Sequence, residues 1–214
     1  MSNGAETRMR RTRQKILTAA EDVFLSAGFL GASMDQVAEQ AGVSKQTVYA
    51  HFKSKQALFI DVVVSMSGGA AQELQVSSGA PLDDRPVREF LLDAATEQMN
   101  VVLTPRLMQL RRMVIGEVER FPELGKALFE NGPQRAITRL ARACAHYTAL
   151  GQLQTPDPAE AASFFNWIVM GAPTSAAMLL GDAGLPDHQA RQRHAIESVR
   201  IFLCAYGATA QEQR

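Results

Sequence analysis

The stretch AGVSKQTVYAHFKSK, residues 41–55, sets a glycine and a serine two positions apart between two helix-forming runs. Glycine enters the left-handed backbone region without a Cβ clash, so Gly42 suits the end of one helix. Ser44 suits the cap of a short new helix that reaches about His51. Val43 and Val48 can then pack inward, while Lys45, Gln46, Thr47, Tyr49 and His51 face outward or sit at the ends. Helix, glycine-centred turn and short helix is the layout of a helix-turn-helix. The outward residue types suit DNA. Lysine carries charge to phosphate, glutamine can bond an adenine edge, and threonine offers a methyl and a hydroxyl to a base. Ser44 places free N–H groups where a phosphate binds well, and Lys55 can grip the flanking backbone. The same spacing also fits an ordinary helical hairpin with a solvated polar face.

Outward from this stretch nearly every segment has helical periodicity, and no convincing alternating strand occurs. A first helix is expected from about Arg10 to Ala27, with Ile16, Leu17, Ala20, Val23 and Phe24 on one face and Gly28 at its end. Ser33 and Gln36 form a capping-box pattern for the second helix. Ser54 caps a fourth that passes Val64, and a Gly/Ser/Pro-bearing stretch at 67–84 predicts a break. Beyond it lie helices at about Pro86–Leu103, Thr104–Arg120, within 121–133, Gln134–Leu150, 158–180 and 188–206. The expected fold is all-α, with about nine or ten helices.

Composition is that of a folded globular chain: 46% apolar and 21% charged over 214 residues, with zero net charge. The charge is uneven. Residues 1–60 hold eight Lys/Arg against five Asp/Glu, and the remainder is acidic. Such a basic head on an acidic body points to a local polyanion site. Cys144 and Cys204 are expected to be buried thiols in a reducing compartment. Glu21 and Asp22 break any apolar signal-peptide core. The uncharged run Ala161–Gly181 is long enough to span a bilayer, but Asn166, Pro173, Thr174 and Ser175 and the absence of flanking girdles favour a buried helix. No membrane partner and a cytoplasmic location are expected.

The segment Thr12–Phe59 resembles the N-terminal domain of the tetracycline-repressor (TetR/AcrR) family of transcriptional regulators. The resemblance rests on Phe24, Gly28 and Phe29, the Ser33 cap, VAEQAGVS, TVYAHF and KSKQALF, in that order. It implies a three-helix DNA-binding domain, a connecting fourth helix, and an all-α C-terminal domain for dimerisation and ligand binding. The resulting division is 1–55, with a flexible basic arm at 1–9, and 56–214. Thr47, Tyr49, His51 and Lys55 match positions that contact phosphates or bases in the family. Gln46 falls at a variable position, where sequence choice is expected. Ser33, Ser44 and Lys45 complete the expected DNA-binding set. RLMQLRRMVIGEVERFPELGKALFENGPQRA is similar to the AefR-like C-terminal subgroup.

No metal-ligand spacing links His51, His146, His188 and His194, and no catalytic or nucleotide fingerprint occurs, so neither metal, cofactor nor enzyme activity is expected. Methionines and aromatics of the C-terminal half suit an adaptable apolar pocket. Met108, Arg111, Phe129, Trp167 and Met170 are the candidates to line it. The expected function is a homodimeric, ligand-responsive regulator, a repressor released from a near-palindromic operator by a small molecule. Its dimer is expected to form through helices 158–180 and 188–206. An effector-independent architectural DNA-binding protein and an all-α enzyme are the alternatives.

Overall fold

The computed structural model describes residues 3–77 and 85–208. Among the described residues there are ten α-helices and no strand: α1 (Asn3–Gly31), α2 (Met34–Ala41), α3 (Lys45–His51), α4 (Lys55–Ser77), α5 (Val87–Val102), α6 (Pro105–Glu117), α7 (Pro122–Asn131), α8 (Pro133–Ala149), α9 (Pro158–Leu180) and α10 (His188–Tyr206). The chain divides into two compact units. One comprises Met1–Ser67 with Gln109–Leu128, the other Gly68–Met108 with Phe129–Arg214.

Three features depart from the sequence reading. Helix α1 begins at Asn3, so residues 3–9 are wound into a helix where a flexible arm was expected, whereas the expected helix end at Gly28 is present as a non-helical kink (φ 73°). Helix α4 runs on to Ser77 through the expected break. Two glycines inside a helix cost about 1 kcal/mol each, and the good helix formers that follow, Ala70 to Leu74, offset this. The rest of that expected break, 78–84, lies outside the described residues. Finally, Cys144 is buried but Cys204 is exposed, because it lies on the outward side of α10 with Ile196, Arg200 and Ile201.

The first unit is built around the inner face of α1. Ile16, Leu17, Ala20, Val23 and Phe24 repeat at helical spacing and are all buried. Phe24, Phe29 and Phe59 pack as an aromatic cluster with centroids 4.7–6.1 Å apart, and Phe121 meets Phe29 edge-on at 5.2 Å. Gln109 adds a hydrogen bond of 2.6 Å to the Leu25 carbonyl. The packed unit therefore extends past residue 55 and includes a segment distant in sequence.

The second unit packs α5, α8, α9 and α10 around Leu91, Met99, Leu140, Tyr147, Phe165 and Phe202, all buried. Arg191 ties α10 to the end of α5, donating to Asn100 Oδ1 at 3.3 Å and to the Leu103 carbonyl at 3.1 Å. A cation placed there also suits the negative end of the helix dipole. Helix α9 contains Pro173, which has no N–H to offer the carbonyl four residues earlier. That carbonyl, on Val169, lies 2.9 Å from His194 Nε2, and the Ile168 carbonyl lies 3.2 Å from it. Carbonyls only accept, so this nitrogen carries the proton and fills the gap left by proline.

Candidate nucleic-acid interface

The local signals around Gly42 translate directly into geometry. Ser33 is extended, and its hydroxyl accepts from the Gln36 N–H at 3.2 Å. The Gln36 side chain accepts from the Ser33 N–H at 2.8 Å, completing the capping box. Gly42 is left-handed (φ 64°, ψ 39°), and its N–H closes back on the end of α2. Here only glycine avoids the strain of a positive φ. The Ser44 hydroxyl accepts from the Thr47 N–H at 3.1 Å and starts α3. Val48 and Phe52 are buried and anchor α3 to its unit.

With Val48 inside, the outer face of α3 is polar. Ser44, Lys45, Gln46 and Tyr49 are exposed, Tyr49 to 44%, whereas Thr47 and His51 are half-buried. The Thr47 hydroxyl also lies 2.8 Å from the Ser44 hydroxyl, so its hydrogen-bonding capacity is partly used within the turn. Ser33 is exposed at the start of α2. Gln46 and Tyr49 are three residues apart and share a helix face, where both can reach outward.

Two nominated lysines have internal partners. Lys45 Nζ lies 2.8 Å from an Asp35 carboxylate oxygen, and this bond, with the attraction of that charge, raises its pKa above the ordinary value. Lys55 Nζ donates to the Ala32 carbonyl at 3.0 Å and to that of Leu30 at 3.3 Å, and it sits 4.8 Å from the Phe29 ring centroid. Lys53, just past α3, is exposed and was not among the residues expected to contact DNA.

The residues nominated to line an effector pocket fall in both units and differ in burial. Met108 and Met170 are buried in the core of the second unit. Phe129 and Trp167, in the same unit, are 46% and 48% exposed. Arg111 belongs to the first unit, where burial lowers its pKa. A different polar group lies inside the second unit. Gln98 on α5 and Asn166 on α9 are 3% and 2% exposed, and the Gln98 amide donates to Asn166 Oδ1 at 2.8 Å. Gln98 Oε1 is buried with no hydrogen-bond partner among the described residues, as is Ser198 Oγ on α10. In the sequence Asn166 is only a polar residue interrupting an apolar run, and its pairing with α5 depends on a partner 68 residues away. Among the described residues no three of His, Cys, Asp and Glu converge as a metal ion would require.

A capped two-helix turn with an outward polar face, on an all-α chain, defines a helix-turn-helix protein, and comparisons with known proteins refine this. The model described as bacterial regulatory proteins, tetR family, matches residues 16–62. The model described as AefR-like transcriptional repressor, C-terminal domain, matches residues 89–208. A TetR-family regulator structure from Mesorhizobium loti MAFF303099 is 33% identical, covering 94% of this chain and 98% of that one, with a TM-score of 0.88. The flavonoid-responsive regulator FrrA is 32% identical over 94% of this chain and 99% of that one, with a TM-score of 0.75. The transcriptional activator FasR of Mycolicibacterium smegmatis is 39% identical over 70 residues, 31% of this chain and 32% of that protein. The match thus spans about a third of the length of such curated relatives. The chain belongs to the TetR family of transcriptional regulators, with an AefR-like C-terminal domain.

Proposed function

We propose that this chain is a ligand-responsive repressor that binds a near-palindromic DNA operator as a homodimer. The observation that carries the DNA reading is α3, held by Val48 and Phe52 with Gln46 and Tyr49 outward. In this reading Gln46 selects bases. Ser33, Ser44, Lys45, Thr47, Tyr49, His51 and Lys55 position the backbone, with residues 1–55 as the reading segment and 56–214 as the regulatory one. Lys45 reaches phosphate by exchanging its exposed Asp35 partner, which costs little because surface ion pairs are weak. Lys55 acts through the loop it holds. Repression, rather than activation, is favoured by the AefR-like repressor match, although FasR is named an activator.

Dimerisation through α9 and α10 is supported by their uncovered apolar side chains. Phe164 and Trp167 are 49% and 48% exposed, and Leu179, Ile196 and Ile201 also face out. Helix α9 is long and apolar enough to cross a membrane. A second copy of the chain covers this surface equally well, and soluble family members make that the better reading, with a cytoplasmic location. Two copies of α3 would then enter successive major grooves about 34 Å apart.

The effector site is supported by Gln98, Asn166 and Ser198, buried in an apolar core rich in Met99, Met108 and Met170. An unpaired buried carbonyl costs about 1–3 kcal/mol, which a ligand hydroxyl or N–H would recover. FrrA is named as flavonoid-responsive, so a planar compound bearing hydroxyl groups is the first class to test.

The experiment is to recover the DNA that the purified protein retains from fragmented DNA of its own source, then measure its affinity for that DNA. A single enriched near-palindrome, bound by two protomers, supports the reading. Retention of no sequence above background contradicts it.

A further inference from the structure

Much of the uncommitted positive charge in the first unit lies outside the lysines nominated from the sequence. Lys45 is held by Asp35, and Lys55 by two carbonyls and the Phe29 ring. Arg13 is also committed, bonding Asp61 at 2.8 Å with its guanidinium 5.0 Å from the Phe52 ring centroid. That ring belongs to the residue ending α3. Arg13 therefore fixes where α1 passes α3: beside its C-terminal end, next to His51.

Ahead of Arg13, α1 continues for nearly three turns to Asn3. This end carries Arg8, Arg10 and Arg11, all exposed, and none of them has an acidic partner among the described residues. Glu6 is the one acid before Glu21. Arg10 lies three residues before Arg13 and so shares its side of the helix, the side that meets the end of α3. Arg8 and Arg11 are likewise three apart, a like-charge pair that weakens a helix unless an anion answers it. Guanidinium groups suit phosphate because their planar donors can bond two oxygens at once.

We propose that Arg8, Arg10 and Arg11 form a helical phosphate-binding extension of the reading head, engaging the DNA backbone beside the groove that α3 enters. The inference rests on the DNA reading above, and nothing in that reading assigns these residues a role. The extension contributes affinity without sequence choice, because every duplex presents the same phosphates. Its geometry depends on α1 being helical back to Asn3, since an unwound segment would not hold three guanidinium groups at fixed positions.

The test uses the full chain with Arg8, Arg10 and Arg11 all changed to Gln, a second variant with all three changed to Lys, and the single variant Arg10→Gln. Affinity is measured by anisotropy on the recovered operator and on a scrambled duplex, between about 50 and 200 mM salt. The triple Gln variant should lower the slope of log affinity against log salt by about two to three, since each phosphate contact contributes about one. It should weaken both duplexes by the same factor, roughly 10- to 100-fold at the low-salt end. The triple Lys variant should keep most of the slope. Should the triple Gln variant not fold by circular dichroism, Arg10→Gln alone must lower the slope by about one. An unchanged slope in a folded Gln variant overturns the extension while leaving the wild-type DNA reading intact. Wild-type protein that binds neither duplex overturns both. If the Gln variant loses binding to anionic phosphatidylserine vesicles but keeps its DNA slope, the patch belongs to a membrane surface and the proposal fails.

Discussion

In the first unit the outward residues of α3 are polar and the interior is apolar, with Val48 and Phe52 buried and Gln46 and Tyr49 outside. In the second, Gln98, Asn166 and Ser198 are buried, whereas Phe164, Trp167, Leu179, Ile196 and Ile201 face out. The α3 arrangement obeys ordinary burial and needs a polar partner only for the charge left over, although Met9, Leu30 and Ile115 of the same unit are also exposed. The second keeps an apolar core around Leu91, Met99 and Phe165 but departs from the rule in both directions at these few positions. Polar atoms inside cost free energy unless something bonds them, and large apolar groups outside cost it unless something covers them. A fold keeps such costs where function returns them. Under the proposed function the contrast calls for three partners of different chemistry: a polyanion for the first unit, and for the second another apolar surface outside and a hydroxyl-bearing ligand inside.

The largest effect should come from the uncovered apolar side chains. Changing Phe164 and Trp167 together to Glu puts two charges on a face that a second protomer would bury. Light scattering should then show monomers, with dimer affinity lowered by about 4 kcal/mol or more, and operator affinity should fall with it. Both residues are half exposed in the protomer, so its own stability should barely change. A stable dimer from this variant would remove α9 from the interface.

The inner polar groups should give the next effect. Changing Gln98 and Asn166 together to Leu removes both members of a buried pair, which is close to neutral for folding. Effector affinity in calorimetry should nonetheless drop by about 1.5–3 kcal/mol. Unchanged ligand affinity would mean that this pair serves packing alone.

How much of the contrast was legible beforehand depends on range. Ser33 with Gln36, Gly42 and Ser44 were readable because caps and left-handed turns are decided by residues three or four apart. The bounds of α9 and α10 were readable because Asp157–Pro158 and Asp187 start them with strong caps. Features decided by distant partners were not readable. The bond from Gln98 to Asn166 joins residues 68 apart, and the packing of Phe121 on Phe29 brings a late segment into the first unit. Cys204 was expected inside because cysteine is usually buried, yet the α10 face it occupies is turned outward. Lys45 and Lys55 were nominated for their charge, and no local rule revealed Asp35 or the carbonyls of Leu30 and Ala32 as their partners.

A smaller effect should follow from the repair of the proline in α9. His194→Ala leaves the Val169 carbonyl without its donor and should lower stability by about 1–2 kcal/mol in urea titration. In a Pro173→Ala background the restored backbone N–H takes that carbonyl, and the same histidine change should cost much less. Equal costs in both backgrounds would show that His194 acts through other contacts.

The smallest signal concerns the two thiols. Burial pushes the Cys144 thiol up to about 11, so the native chain should resist alkylation at Cys144 at pH 8. Cys204 should react when the chain is monomeric and be shielded in the dimer. The folded state holds the Cys144 proton that an unfolded thiol releases near 9.0. This thiol therefore withdraws stability as pH rises from about 9 to about 11, and has no effect below that window. Rapid labelling of Cys144 at pH 8 would contradict its burial.

The central claim is that α3 reads base sequence through its outward face. The most direct measurement is the ratio of affinities for the recovered operator and a scrambled duplex, compared between wild type and Gln46→Ala at fixed salt. A base-edge bond discriminates by about 1–3 kcal/mol, so the ratio should fall roughly 5- to 100-fold while scrambled-duplex affinity stays the same. An unchanged ratio, or an equal loss on both duplexes, would contradict the assignment of Gln46 as the residue that chooses sequence.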